Sequence, residues 1–125
     1  MPTQRVSVTV HAANLLTANQ RIHHMKRAQA TKVLRQGGRM AAEAQGLLPM
    51  PRAHLTVHIA WPNRRRRDAH NVMPTIKGLV DGMVDFGVLP DDSDDYLIGP
   101  DLRRLPETSG VKGVTRFDFL FEEMT

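Results

Sequence analysis

The sequence predicts an α/β (α+β) chain, a small mixed β-sheet of about four strands packed with two main helices, on three observations. Short stretches at 5–11, 54–61 and 114–121 alternate apolar and polar residues, the two-residue period of a strand buried on one face. Two longer stretches, 20–46 and 72–86, repeat their apolar residues at helical spacing instead. The chain has 125 residues, enough for one compact domain with a core and too few for two ordinary ones, so residues 1–125 read as a single domain.

Residues 5–11, RVSVTVH, set Val6, Val8 and Val10 against polar neighbours and read as the first strand. Ala12 to Asn19 is a polar connector, from which Thr17 or Asn19 is expected to cap the first helix. From Gln20 to about Gly46, at about 100° per residue, Ile22, Val33, Met40, Ala44 and Leu47 fall on one face with Leu34, Ala41 and Leu48 beside them. Arg21, His24, Lys32, Arg35 and Arg39 gather on the other. Gly37 and Gly38 each cost a helix about 1 kcal/mol relative to alanine, which predicts a kink or split there, and Pro49 and Pro51 close the helix.

His54 to Trp61 alternates again, with Leu55, Val57, Ile59 and Trp61 on one face and His54, Thr56 and His58 on the other. With no third ligand nearby, the two histidines read as surface residues rather than a metal pair. Val72 to Phe86 is the second helix, with Val72, Ile76, Leu79, Val80 and Met83 at helical spacing, Pro74 in its first turn and Gly87 at its end. Tyr96 to Gly99 reads as a strand, Pro106 to Gly113 as a loop and Val114 to Phe121 as the last strand.

Charge is divided sharply along the chain. Residues 1–67 hold twelve Lys plus Arg and the single acid Glu43, for +11, whereas residues 68–125 hold five bases and twelve acids, for −7; together they make the net +4. A basic half running into an acidic half reads as an anion-binding surface beside a cation-binding pocket. The absence of cysteine excludes disulfides and thiolate zinc sites, and it suits a reducing interior. No signal-like N-terminus and no long apolar run is present, so a cytoplasmic protein with no membrane association is expected.

The chemistry is concentrated from Arg64 to Asp95, where Arg64, Arg65, Arg66 and Arg67 abut Asp68 and an acidic cluster follows. Arginines of this density bind polyanions, and carboxylates so close by repel the same polyanion unless a cation lies between them. A helix of about 15 residues returns the chain about 20 Å, a strand's length, which allows Asp68 to approach Asp91 and Asp92 at one sheet edge. Such a pocket suits Mg²⁺ or Mn²⁺ and phosphodiester hydrolysis, with Lys77 neutralising the phosphate or leaving oxygen. Two bland readings stand beside this one: aspartates that merely serve turns, and a basic helix face (Lys32, Arg35, Arg39) that is merely solvated rather than laid along a phosphate backbone.

RRRRDAHN, then Lys77 with Asp81 four residues on, then GVLPDD, resembles the RusA family of Holliday junction resolvases. That family's pattern is a basic run, Asp-x-Asp-Asn, a helix with Lys and Asp, and a Gly-x-x-x-Asp-Asp turn. The resemblance spans most of the chain, and its specific part is Arg66 to Asp92. It implies a RusA-like fold and a homodimer that cuts four-way or related branched DNA with Mg²⁺ in recombination and repair. It further implies that Asp68, Asp92 and Lys77 are catalytic and that the setting is a bacterial or phage-infected cytoplasm. His70 stands where the pattern has its second aspartate, and three more residues separate Asn71 from Lys77 than in the pattern. The expected metal ligands are therefore Asp68, His70, Asp92 and Asp91; an imidazole ligand favours Mn²⁺ over Mg²⁺. If His70 faces solvent instead, Asp91 or Asp95 is the candidate replacement. A junction-binding protein that has lost hydrolysis, or an unrelated basic nucleic-acid-binding module, are the alternatives. For the dimer, the strip Val80, Met83 and Val84 is one candidate contact.

Overall fold

In a computed structural model, which describes residues 2–125, four strands form one mixed sheet and two helices pack together on it. The strands are β1 (Thr3–His11), β2 (Ala53–Ala60), β3 (Leu97–Arg104) and β4 (Val114–Glu123), and the helices are α1 (His24–Ala44) and α2 (Met73–Phe86). The expected α+β class is therefore what the chain adopts. The sheet order is β1-β4-β2-β3, with β4 antiparallel to both neighbours and β2 parallel to β3. Parallel strands require a crossover, and α2 supplies it, so β2, α2 and β3 form one βαβ unit.

Alternation places the core. Val6, Val8 and Val10 of β1, Leu55, Val57 and Ile59 of β2 and Phe117, Phe119 and Phe121 of β4 are all buried on one sheet face. They join Leu34 of α1 and Ile76, Leu79 and Met83 of α2 in a single apolar cluster. β3 runs to Arg104, well beyond the expected Gly99, because its pairing with β2 continues to Ile59↔Arg104.

Helix α1 departs from expectation in four ways. It starts after His23, whose Nδ1 accepts a hydrogen bond from the Met25 amide at 3.2 Å, so neither Thr17 nor Asn19 caps it. It ends at Ala44, before Gly46 at φ 70°, so Pro49 and Pro51 lie beyond the stop rather than causing it. Its buried stripe is Ala30, Leu34, Gly38 and Ala42, whereas Met40 is 67 % exposed and Ala44 is exposed too. Nor does it split at Gly37 and Gly38, through which it runs unbroken.

Gly38 answers a packing demand. A Cβ on Gly38 would lie 2.0 Å from the Leu79 carbonyl oxygen, and one on Gly82 of α2 would lie 1.9 Å from the Arg35 carbonyl oxygen. The two helices thus meet backbone to backbone, each presenting a glycine to the other's carbonyl, which no larger residue permits. Arg35 reinforces the contact: its Nε and Nη2 donate to the Asp85 carboxylate at 2.5 and 2.7 Å. That paired guanidinium holds Asp85 below the usual carboxylate range, and Asp85 in turn raises the pKa of Arg35.

The expected dimer strip is used differently as well. Val80 and Met83 are buried in the chain's own core, with Val84 packed at its edge, so they are not an open surface.

Candidate phosphodiester site on the β2–α2–β3 unit

Two clusters of functional groups sit along this unit, and local structure explains both. α2 begins with Pro74 in its first turn, where no amide donor is needed, and stops at Gly87, whose φ of 108° suits glycine. The Gly87 amide donates to the Met83 and Val84 carbonyls. Burial of Val88 and Leu89 then anchors the chain, and Pro90 leads to Asp91, which is exposed, and Asp92, which turns inward.

Asp92 meets Lys77. The Lys77 ammonium donates to Asp81 Oδ1 at 2.7 Å, one helical turn along α2, and also to Asp92 Oδ2, so one cation is shared by two carboxylates. Burial works to lower the Lys77 pKa, but the hydrogen bonds to Asp81 and Asp92 outweigh it and leave that pKa raised. The hydrogen bond from Lys77 holds Asp92 below the usual carboxylate range against the opposing effect of burial. With its side chain 57 % exposed, Lys77 remains reachable from solvent. The partner for Asp92 is therefore Asp81, and no ion pair links Lys77 to Asp91 or Asp95 among the described residues.

The second cluster lies where β2 hands over to α2. Asp68 caps a one-turn 3-10 helix, Ala69–Val72, its Oδ1 accepting from the His70 amide at 3.0 Å. The His70 ring lies 3.6 Å away from the same oxygen. Both side chains face solvent, at 76 % exposed for Asp68 and 80 % for His70. Among the described residues no ion pair or hydrogen bond joins Asp68 to Lys77, and no three His, Asp or Glu side chains converge to hold a metal ion. Asp68 bonds to its own turn and Asp92 to the α2 lysine.

Of the arginines, Arg64, Arg65 and Arg66 are exposed and Arg67 is half-buried. The Arg67 guanidinium stacks 4.9 Å from the Trp61 ring centroid and donates to Asn63 Oδ1 at 2.8 Å. Burial, then the charges of Arg65 and Arg104, lower its pKa. Arg104 was not legible as a site residue; parallel pairing brings the end of β3 beside the arginine run, where Arg104 donates to the Arg65 carbonyl at 2.9 Å. Only the non-local pairing of β2 with β3 reveals this neighbour. Lys32 and Arg39 are exposed on α1, while Arg35 is engaged by Asp85. His54 is not an idle surface residue either: its Nε2 lies 2.7 Å from Asp101 and its Nδ1 3.5 Å from Glu122.

The chain matches no protein-family model, and no curated protein is similar enough in sequence to match it. No helix is long and apolar enough to cross a membrane among the described residues.

Proposed function

We propose that this chain is a metal-dependent, structure-selective endodeoxyribonuclease that nicks Holliday or related branched DNA, acting as a two-fold homodimer in recombination or repair. One observation carries the reading: a single βαβ unit presents an arginine cluster at one end of α2 and, further along the same helix, an ammonium shared by two carboxylates. Polyanion capture and charge compensation are the two things phosphodiester hydrolysis requires. The resemblance to the RusA family, which rests on the ordered motifs from Arg66 to Asp92, supplies the substrate class and the dimer. Paired cuts in opposing strands follow naturally from two-fold symmetry.

The donor set fits magnesium of the kind held by one or two carboxylates together with waters and a substrate phosphate, since Asp81 and Asp92 already hold one cation between them. Asp92 and Asp81 are the residues that would hold it. When bound, the ion supplies an activated water and offsets charge on the scissile phosphate. Lys77 keeps the carboxylates neutralised while DNA approaches and offers its ammonium to a phosphate oxygen once there. A second reading, a branched-DNA-binding protein without hydrolysis, is favoured by the solvent-facing Asp68 and His70 and by the absence of three converging donors among the described residues.

Binding tests what the two readings share. The arginines contact phosphates unaided, so selective four-way-junction binding is expected in EDTA, with affinity falling steeply as salt rises, by a log–log slope of about −0.9 per neutralised phosphate. Equal affinity for junction and linear duplex in a competition assay would remove both.

A further inference from the structure

A cavity of about 310 Å³ opens between the end of β2 and the first turn of α2, beside the arginines that capture DNA. Trp61, Arg66, Arg67 and Asn71 line it, Leu15 and Val72 give it apolar walls, and Thr17 and Asp68 complete it. Hydrogen bonds tie the segment that carries Leu15 and Thr17 to the start of α2: buried Thr75 both donates to the Leu16 carbonyl and accepts from the Leu16 amide at 2.8 Å, and the Ala18 amide donates to the Asn71 carbonyl at 2.8 Å.

Trp61 is 4 % exposed and its indole Nε1 is buried, so its ring lines the cavity as an apolar wall. Arg66 and Arg67 line it as well, with Arg65 and Arg104 close behind, against the one carboxylate of Asp68, which faces solvent. Two guanidinium groups at one cavity call for an anionic oxygen, and a phosphate offers several. A bare phosphate leaves most of the space unfilled, because about 300 Å³ is already the lower end for pockets that take whole small molecules. Leu15, Val72 and the indole suit the apolar parts of a sugar and base. A base inside a duplex is stacked and paired, so only a nucleotide out of the stack can enter.

We propose that this cavity seats one unpaired deoxynucleotide of the bound DNA, its phosphate on Arg66 and Arg67 and its nucleoside against Leu15, Val72 and the Trp61 ring. The proposal rests on the reading of the chain as a branched-DNA nuclease for the source of that nucleotide, and on the cavity alone for its chemistry. It makes the cavity a sensor of unpaired nucleotides at a branch point, separate from the Lys77 cluster that would serve hydrolysis.

Trp61 is the chain's one tryptophan, so its fluorescence reports the cavity directly. Titration with a deoxynucleoside 5′-monophosphate should change that emission saturably, inorganic phosphate should bind at least about tenfold more weakly, and the unphosphorylated deoxynucleoside should have no effect over the same range. Arg67→Gln should weaken monophosphate binding at least about tenfold, with its circular dichroism compared to wild type to establish folding. Unchanged emission with the monophosphate, or equal affinity for phosphate and monophosphate, overturns the proposal. The first result with junction binding intact leaves the nuclease reading standing; monophosphate binding without junction binding leaves the cavity and removes the nuclease.

Discussion

Asp92→Asn is expected to abolish junction cleavage while leaving binding in EDTA unchanged or stronger. The substitution keeps the shape of the side chain but removes one of the two negative charges that hold the Lys77 ammonium. A neutral amide is a poor ligand for a hard divalent cation, and removing a carboxylate lessens repulsion of DNA. The loss should exceed the roughly 10- to 100-fold that removal of an outer partner costs at a metal site. Single-turnover cleavage beside a binding titration checks it, and wild-type turnover by the variant would return Asp92 to the role of a turn residue.

Stability should follow the same substitution with a definite pH dependence. Because Lys77 depresses the folded pKa of Asp92, the ionised carboxylate stabilises the fold above the ordinary aspartate value of about 3.9, and this contribution is lost as pH falls through the folded value. Lys77, with its pKa raised, contributes below the ordinary lysine value of about 10.4 and loses that contribution as pH rises through its folded value. Asp92→Asn is therefore less stable than wild type through the neutral range, and the gap closes towards acid.

Gly82→Ala and Gly38→Ala are expected to destabilise the fold severely, although alanine is the better helix former. Helix propensity alone favours each alanine by about 1 kcal/mol. The new methyl groups, however, would lie 1.9 Å from the Arg35 carbonyl oxygen and 2.0 Å from that of Leu79, and neither obstacle is a flexible side chain. The helices must part, so the cost belongs at or above the top of the about 1–3 kcal/mol range for overpacking, a fall in Tm on the order of 10 °C. Gly37→Ala is the internal control, since its Cβ would sit 4.0 Å from Leu79 Cδ2, an ordinary contact. Thermal melts should rank Gly37→Ala at or above wild type and the other two far below it. Equal melts for all three would show that α1 and α2 do not pack backbone to backbone.

That helix contact also explains where sequence reading succeeded and where it stopped. Alternation identified β1, β2 and β4 because valines, leucines and phenylalanines mark a buried sheet face strongly, and the fold class followed. The buried stripe of α1 consists of Ala30, Gly38 and Ala42 around one leucine, a weak apolar signal, so the larger Met40 was assigned to a face it does not occupy. Gly37 and Gly38 read as helix breakers because intrinsic propensity says nothing of a second helix arriving against them. At the site, Lys77 and Asp92 were singled out by motif order but their direct contact was not, and Asp81 was visible four residues from Lys77 without its part in holding the shared cation. Arg104 and the cavity beside Trp61 arise from contacts between distant parts of the chain, which spacing along the sequence does not display.

The central claim is that the arginine cluster and the Lys77–Asp81–Asp92 cluster act together on branched DNA. Its most direct test is incubation of the protein with a synthetic four-way junction, each strand labelled in turn, in Mg²⁺, in Mn²⁺ and in EDTA. Paired nicks in opposing strands are expected with metal, more strongly with Mn²⁺ if His70 is a ligand, with none in EDTA and none on linear duplex. Tight, selective junction binding with no nick in either metal would contradict the claim and leave a branched-DNA-binding protein.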